Sequence, residues 1–97
     1  MASSFQELIN GDKPVLVDFY ADWCGPCRYQ SPILKQVADQ VGELARVIKV
    51  DVDRNPAAAQ QFGVRGIPHF VFFDKTGQPQ AAAVGRVPRQ VIEGEPW

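Results

Sequence analysis

The segment Trp23–Cys27, which reads Trp-Cys-Gly-Pro-Cys, carries both cysteines of the chain and constrains its fold more than any other feature. Two thiols three residues apart can close into a small disulfide and reopen without moving the rest of the chain. An apolar run at 15–21 precedes the pair and predicts a buried strand, and a helical pattern follows it. A Cys-x-x-Cys pair between a buried strand and a helix is typical of thiol–disulfide redox chemistry.

The expected position of the two thiols assigns them different chemical roles. At the start of a helix, unpaired N–H groups and the positive end of the helix dipole favour a thiolate at Cys24, and the thiolate is the nucleophile. Gly25 allows a close backbone turn, and Pro26 fits the first helical turn. Cys27 follows one turn later on the same face. We therefore expect Cys24 to attack a partner's disulfide and Cys27 to resolve the mixed disulfide.

Three other interpretations of the cysteine pair are weaker. A zinc site needs about four ligands, whereas the chain offers only these two cysteines and His69 as good ligands. A structural disulfide across so short a loop would remove little entropy from the unfolded chain. Two incidental buried cysteines would not explain the Gly-Pro pair between them.

Length and charge are consistent with a small enzyme or carrier. The 97 residues, 45% of them apolar, predict one domain over 1–97. The net charge of −1, with no basic run, gives no indication of nucleic-acid or anionic-lipid binding. No segment resembles a leader peptide or a membrane span, so we expect no membrane association and a cytoplasmic location, where dithiols stay reduced.

Helical and strand patterns alternate along the chain and predict an α/β fold. A capping box, Ser4 with Glu7, begins a short helix that ends at Asn10. The further predicted elements are a strand at 15–21, a helix from about Pro26 to Val41 interrupted by Pro32, a strand at 46–52, a helix at 55–63, a hairpin of 70–73 with 81–84, and a short last helix from Pro88. The strand–helix–strand order predicts a right-handed parallel crossover.

The chain resembles the thioredoxin family over nearly its whole length. The matching segments are 17–27, 32–34, 49–53, Gly66-Ile67-Pro68 and Gly85. The resemblance implies the thioredoxin fold, an α/β fold with a central mixed β-sheet flanked by helices on both faces, here with a shortened N-terminal strand and C-terminal helix. It also implies a monomeric protein disulfide reductase with no bound cofactor or metal. Such a protein acts on disulfide-containing client proteins and is recycled by a thioredoxin reductase.

The sequence pattern alone makes Asp18 unusual, because it is the one charged residue in a strand that is apolar on both faces. An unpaired carboxylate in such a strand is expected to have a raised pKa. The resemblance assigns it the role of the family's buried aspartate, which exchanges a proton with the resolving Cys27. Lys49 matches the family lysine that points toward this aspartate. The alternatives are a solvated strand position for Asp18 and a solvated strand lysine for Lys49.

The resemblance also implies a client-binding surface around Cys24. Pro68 matches the family's cis-proline, whose loop offers the backbone of Ile67 to an extended peptide. The full predicted set is Trp23, Gly25, Pro26, Gly66, Ile67, Pro68 and Gly85. Ordinary core packing for Ile67 and turn chemistry for the glycines are compatible alternatives.

Three residues depart from the family pattern, namely Tyr20, Arg28 and His69. His69 follows Pro68, so the alternation of side chains along a strand predicts that it points away from the thiols. We therefore expect a structural histidine whose pKa is lowered by burial.

Two other function classes remain open at this point. An oxidase or isomerase would need a more oxidising disulfide, and the Gly25-Pro26 pair argues against it. A binding or chaperone subunit would use the apolar rim around Trp23 without redox turnover.

Overall fold

A four-stranded mixed sheet forms the centre of the computed structural model, which describes residue 9 and residues 11–85. The elements are β1 (Val15–Tyr20), α1 (Gly25–Val41), a 3-10 turn (Gly42–Leu44), β2 (Arg46–Asp51), α2 (Pro56–Gln61), β3 (His69–Phe73) and β4 (Pro79–Val84). The expectations for the two chain ends lie outside the described residues, except that Ile9 is helical and buried, as the first predicted helix requires.

The strands follow the order β2-β1-β3-β4. β1 and β2 are parallel and are connected through α1, which confirms that the connection is a parallel crossover. β3 runs antiparallel to β1, and β4 runs antiparallel to β3, as predicted for the hairpin. In this register Asp18 of β1 lies opposite Lys49 of β2 on one side and Phe70 of β3 on the other.

The two faces of the sheet bury separate apolar clusters. On the α1 face, Leu16, Phe70 and Phe72 pack with Leu34 and Val37 of α1. On the α2 face, the cluster contains Ile9, Val15, Val17, Phe19, Val50, Ala58, Val71 and Phe73. Because side chains alternate along a strand, Asp18 belongs to the α1 face and His69 to the α2 face.

Most element boundaries fall within two residues of the predicted ones. β1 ends at Tyr20 because the Ala21 carbonyl accepts a hydrogen bond from the Cys24 N–H in the turn that leads into α1. β2 ends at Asp51, whose carbonyl accepts hydrogen bonds from the N–H groups of Arg54 and Asn55. The predicted strands were therefore one residue too long at these two turns.

The buried stripe of α1 includes one polar residue. Buried side chains recur at Cys27, Gln30, Leu34 and Val37, with the spacing of one helix face. Ile33, Ala38 and Val41 are only partly buried. Pro32 lies on the exposed side, and α1 continues through it because water can satisfy the carbonyl that loses its helical partner.

Candidate active site

The two cysteines lie where β1 gives way to α1, and they are joined in a disulfide. Cys24 is the N-cap of α1, and its Sγ accepts a hydrogen bond of 3.1 Å from the backbone N–H of Cys27. Pro26 lies in the first turn, where its missing N–H leaves no helical hydrogen bond unmade. The exposed fractions of Cys24 and Cys27 are only 3% and 4%. The predicted strand, turn and helix thus place the pair at a helix N-terminus.

Trp23 stands beside the disulfide with 69% of its surface exposed. Its Nε1–H donates a hydrogen bond of 2.9 Å to a carboxylate oxygen of Asp53. The backbone N–H of Asp53 in turn donates to the buried carboxylate of Asp51 at 2.8 Å. Sequence reasoning missed this support, and the only signal was the two acidic residues at the end of β2 and in the turn that follows it. The two aspartates fix the orientation of an otherwise exposed indole.

The loop before β3 closes the other side of the site. The Ile67–Pro68 peptide bond is cis, as the resemblance implies. Ile67 packs against the cluster formed by Ala21 and the two cysteines. The carbonyl of Pro68 accepts a hydrogen bond of 2.8 Å from the N–H of Gly85, whose φ of 87° favours glycine. Ile67, Pro68 and Gly85 are therefore brought together beside the disulfide.

Gly25 and Gly66 keep the surface near the disulfide open. Both residues are exposed. A Cβ added at Gly25 would meet nothing within 4 Å, so the approach over the first turn of α1 is unobstructed.

Asp18 is fully buried, with an exposed fraction of 0%. Neither carboxylate oxygen has a hydrogen-bond partner among the described residues. Burial penalises the charged form and raises the pKa of Asp18 to about 6, while the positive charge of Lys49 acts in the opposite direction. The predicted direction of the pKa shift is confirmed, and the solvated alternative for Asp18 is wrong.

Lys49 shares the α1 face with Asp18 but is bonded elsewhere. Its Nζ donates a hydrogen bond of 3.0 Å to the Ser31 hydroxyl and lies 4.4 Å from the centre of the Tyr20 ring. A groove of about 860 Å³ runs beside α1 and is bordered by Cys27 and by these three side chains. Lys49 is therefore near Asp18 in the sheet, yet its ammonium is held by two groups that the sequence analysis did not assign to the site.

His69 lies on the α2 face, as the alternation predicted. Only 7% of its surface is exposed, and its ring meets the Phe19 ring edge-on with centroids 6.1 Å apart. Its Nδ1 has no hydrogen-bond partner within the described part of the chain. Burial lowers the pKa of His69, which confirms the expected direction of the shift.

The described residues contain no group of three or more His, Cys, Asp and Glu side chains placed to hold a metal ion. In the same part of the chain, no helix has the length and apolar character needed to cross a membrane.

Comparison with known proteins agrees with this geometry. The family model described as Thioredoxin matches residues 1–94. A thioredoxin from Alicyclobacillus acidocaldarius is 43% identical over 93 residues, which cover 96% of this chain and 88% of that protein. A thioredoxin from Porphyra purpurea is 44% identical over 92 residues, covering 95% of this chain and 85% of the relative.

Solved structures show the same likeness in three dimensions. A mutant thioredoxin from Halobacterium salinarum superposes with a TM-score of 0.85 at 36% identity, covering 96% of this chain and 80% of the other. A thioredoxin from Malassezia sympodialis superposes with a TM-score of 0.81 at 39% identity, covering 92% and 77% of the two chains. The chain thus belongs to the thioredoxin family of thiol–disulfide oxidoreductases, with the Cys24–Cys27 disulfide as its redox centre.

Proposed function

We propose that the chain reduces protein disulfides in two steps that begin at Cys24. The Cys24 thiolate attacks one sulfur of a client disulfide, whose S–S bond breaks and releases the other client sulfur as a thiolate. Cys27 then loses its proton and attacks Cys24 Sγ. The internal disulfide forms, the second client sulfur leaves, and two electrons have passed to the client. The N-cap position of Cys24, with Cys27 one turn inside α1, is the observation that carries this proposal.

We propose that Asp18 accepts the proton from Cys27 in the second step. The helix α1 returns over β1, and Leu34 and Leu16 belong to the same apolar cluster between them. Cys27 lies seven residues before Leu34, about 10 Å along the helix. Asp18 lies two residues beyond Leu16, about 7 Å along the strand in the same direction. The two groups therefore lie at nearly the same level between helix and sheet, and an Asp18 pKa of about 6 leaves the carboxyl mostly ionised at neutral pH.

The client would dock across the open surface beside Cys24. Trp23 and the cis-proline loop flank the disulfide, and both provide apolar contact area. We propose that an extended client segment pairs with the backbone of Ile67 and passes over Gly25 and Gly66. Gly85 supports this loop through its hydrogen bond to the Pro68 carbonyl. Backbone pairing of this kind suits many client sequences.

We propose that the chain works as a monomeric single domain over 1–97 in a reducing compartment, the cytoplasm. One chain supplies both thiols, so the reaction needs no second copy. A reductant must start as the dithiol, and cytoplasmic thiols are kept reduced. We propose that a thioredoxin reductase restores this dithiol, so that the chain carries electrons and takes part in cell redox homeostasis.

Single cysteine substitutions test the order of attack. Cys24→Ser is expected to abolish reduction of a protein disulfide and to form no adduct with it. Cys27→Ser is expected to attack once and remain covalently attached, visible as a mixed-disulfide band that a reducing agent removes. If Cys24→Ser instead formed the stable adduct, the proposed roles would be reversed.

A further inference from the structure

We propose that Ser31 and Tyr20 are positioning residues that hold the Lys49 ammonium away from Asp18. This inference rests on the proposed role of Asp18 as the proton acceptor, because it concerns the strength of that acid. It adds two residues outside the redox motif to the machinery of the resolving step.

The positions of the three side chains show how the ammonium is held. Ser31 is four residues after Cys27, so its hydroxyl is one helical turn further along α1. It accepts the Lys49 hydrogen bond at 3.0 Å, and the Tyr20 ring lies beneath the same Nζ at 4.4 Å. A hydrogen bond to a charged donor and a cation–π contact both favour this single position of the ammonium.

The competing position would be an ion pair with Asp18. The two residues are direct partners in the parallel register, so their side chains leave neighbouring strands on the same face about 4.8 Å apart. Both Asp18 oxygens have no hydrogen-bond partner in the described part of the chain, and a buried bare carboxylate attracts a nearby cation strongly. Lys49 nevertheless donates to Ser31 from an exposed position, so the hydroxyl, the ring and solvent together are favoured over the carboxylate in this arrangement.

The consequence concerns how readily Asp18 takes up a proton. An ion pair would favour the charged carboxylate and make it a weaker base. With the ammonium held off, burial dominates, and the pKa of Asp18 stays raised at about 6. A base with a pKa near the working pH exchanges protons most effectively.

Three charged residues other than Lys49 border the groove beside α1. The groups that border the groove besides Lys49 are Asp22 from the turn after β1 and Arg28 and Lys35 from α1. Arg28 is engaged, since its guanidinium donates to the Asp22 carbonyl at 2.9 Å. From β3, Asp18 faces Phe70, which does not titrate. Among the residues that the structure describes, the positive charge that acts on Asp18 is that of Lys49.

The test is the titration of the Asp18 carboxyl carbon, followed by NMR in the oxidised protein, where neither thiol titrates. Ser31→Ala removes the acceptor, and we expect the pKa of Asp18 to fall by about one unit, a tenfold weaker proton affinity. Ser31→Thr keeps a hydroxyl and is expected to retain the wild-type titration. An unchanged or higher Asp18 pKa in Ser31→Ala would overturn the proposal.

A double substitution shows whether the effect passes through Lys49. In a Lys49→Met background, Ser31→Ala is expected to leave the Asp18 titration unchanged, because no ammonium remains to be released. A shift of the same size in both backgrounds would overturn the proposed mechanism.

A matched pair of substitutions at Tyr20 tests the contact between its ring and the Lys49 ammonium. Tyr20→Leu removes the ring face and is expected to lower the Asp18 pKa, whereas Tyr20→Phe keeps the face and is expected to leave it in place. Equal shifts in the two variants would exclude the ring as a holding group. These titrations involve no turnover, so they are independent of the proton-transfer role, which fails separately if Asp18→Asn resolves the mixed disulfide at the wild-type rate.

Discussion

Asp18 and His69 are buried on opposite faces of the same sheet, and each has side-chain atoms with no hydrogen-bond partner among the described residues. Burial favours the neutral form of both. It therefore raises the pKa of the acid Asp18 and lowers the pKa of the base His69. One physical cause thus produces opposite shifts in the two groups.

The surroundings of the two groups differ, and on our proposal only Asp18 takes part in the chemistry. Asp18 shares the α1 face with Lys49, and Cys27, the proposed proton donor, borders the groove beside α1. His69 meets the Phe19 ring and the apolar cluster around α2. A perturbed pKa alone does not distinguish a reactive group from a structural one. The neighbouring groups make the distinction.

The two groups also affect stability in opposite directions as the pH changes. The folded-state pKa of Asp18 is raised, so its stabilising contribution is present below about pH 4 and is lost as the pH rises to about 6. The folded-state pKa of His69 is lowered, so its contribution is present above about pH 6.5 and is lost as the pH falls below that value. In the acidic range, the free energy of unfolding therefore falls with rising pH because of Asp18 and rises with rising pH because of His69.

The largest expected effect on stability is the gain from Asp18→Asn. The amide removes the buried charge, so the free energy of unfolding above pH 7 is expected to rise by about 2 kcal/mol. The gain should shrink toward pH 4, where the wild-type carboxyl is also neutral. Urea unfolding at several pH values measures it, and an equal change at pH 4 and pH 8 would contradict the raised pKa.

The substitution His69→Thr tests the buried group on the α2 face of the sheet. It is expected to lower stability above about pH 6.5, because the contact with Phe19 is lost. Below about pH 6.5 it should also remove a slope of up to about 1.4 kcal/mol per pH unit, the contribution of one proton. The same unfolding series separates the loss of stability at neutral pH from the change in how stability depends on pH. An unchanged slope would show that His69 takes up its proton equally in the folded and unfolded chain.

The smallest expected effect is that of His69→Thr on the thiols. Because the imidazole lies on the far face of the sheet, the pH at which Cys24 becomes reactive should move by less than about 0.3 unit, or 0.4 kcal/mol of coupling. The alkylation rate of reduced protein against pH gives this value. A shift of about one unit would place His69 in contact with the thiols and remove the distinction between the faces.

Local patterns were sufficient for much of this structure. Alternation along β3 predicted that His69 would point away from the thiols, and the strand–turn–helix pattern around Cys24 predicted a position at the start of the helix. Errors at strand ends arose where turn hydrogen bonds replaced the ladder, as after Tyr20. The cis bond before Pro68 came from the family resemblance, because sequence alone favours trans.

Other parts of the site depend on residues far apart in the chain. The hydrogen bond from Trp23 to Asp53 spans 30 positions, and that from Lys49 to Ser31 spans 18. The periodicity of the sequence does not reveal such pairs, since Asp53, Lys49 and Ser31 each look like ordinary polar surface residues when taken alone. They are specified only when α1 and the loop after β2 have packed on the sheet.

The most direct measurement follows release of a client thiol from the mixed disulfide. A fluorescent thiol is linked to Cys24 at acid pH, where Cys27 is protonated, and its release is timed after a jump to each higher pH. We expect the wild-type rate to fall below about pH 6, where Asp18 becomes protonated. Asp18→Asn should lose that inflection and release the thiol roughly 10²-fold more slowly at neutral pH. His69→Thr is the matched control and is expected to keep the inflection. Identical rate profiles for wild type and Asp18→Asn would contradict the assignment of Asp18 as the proton acceptor of Cys27.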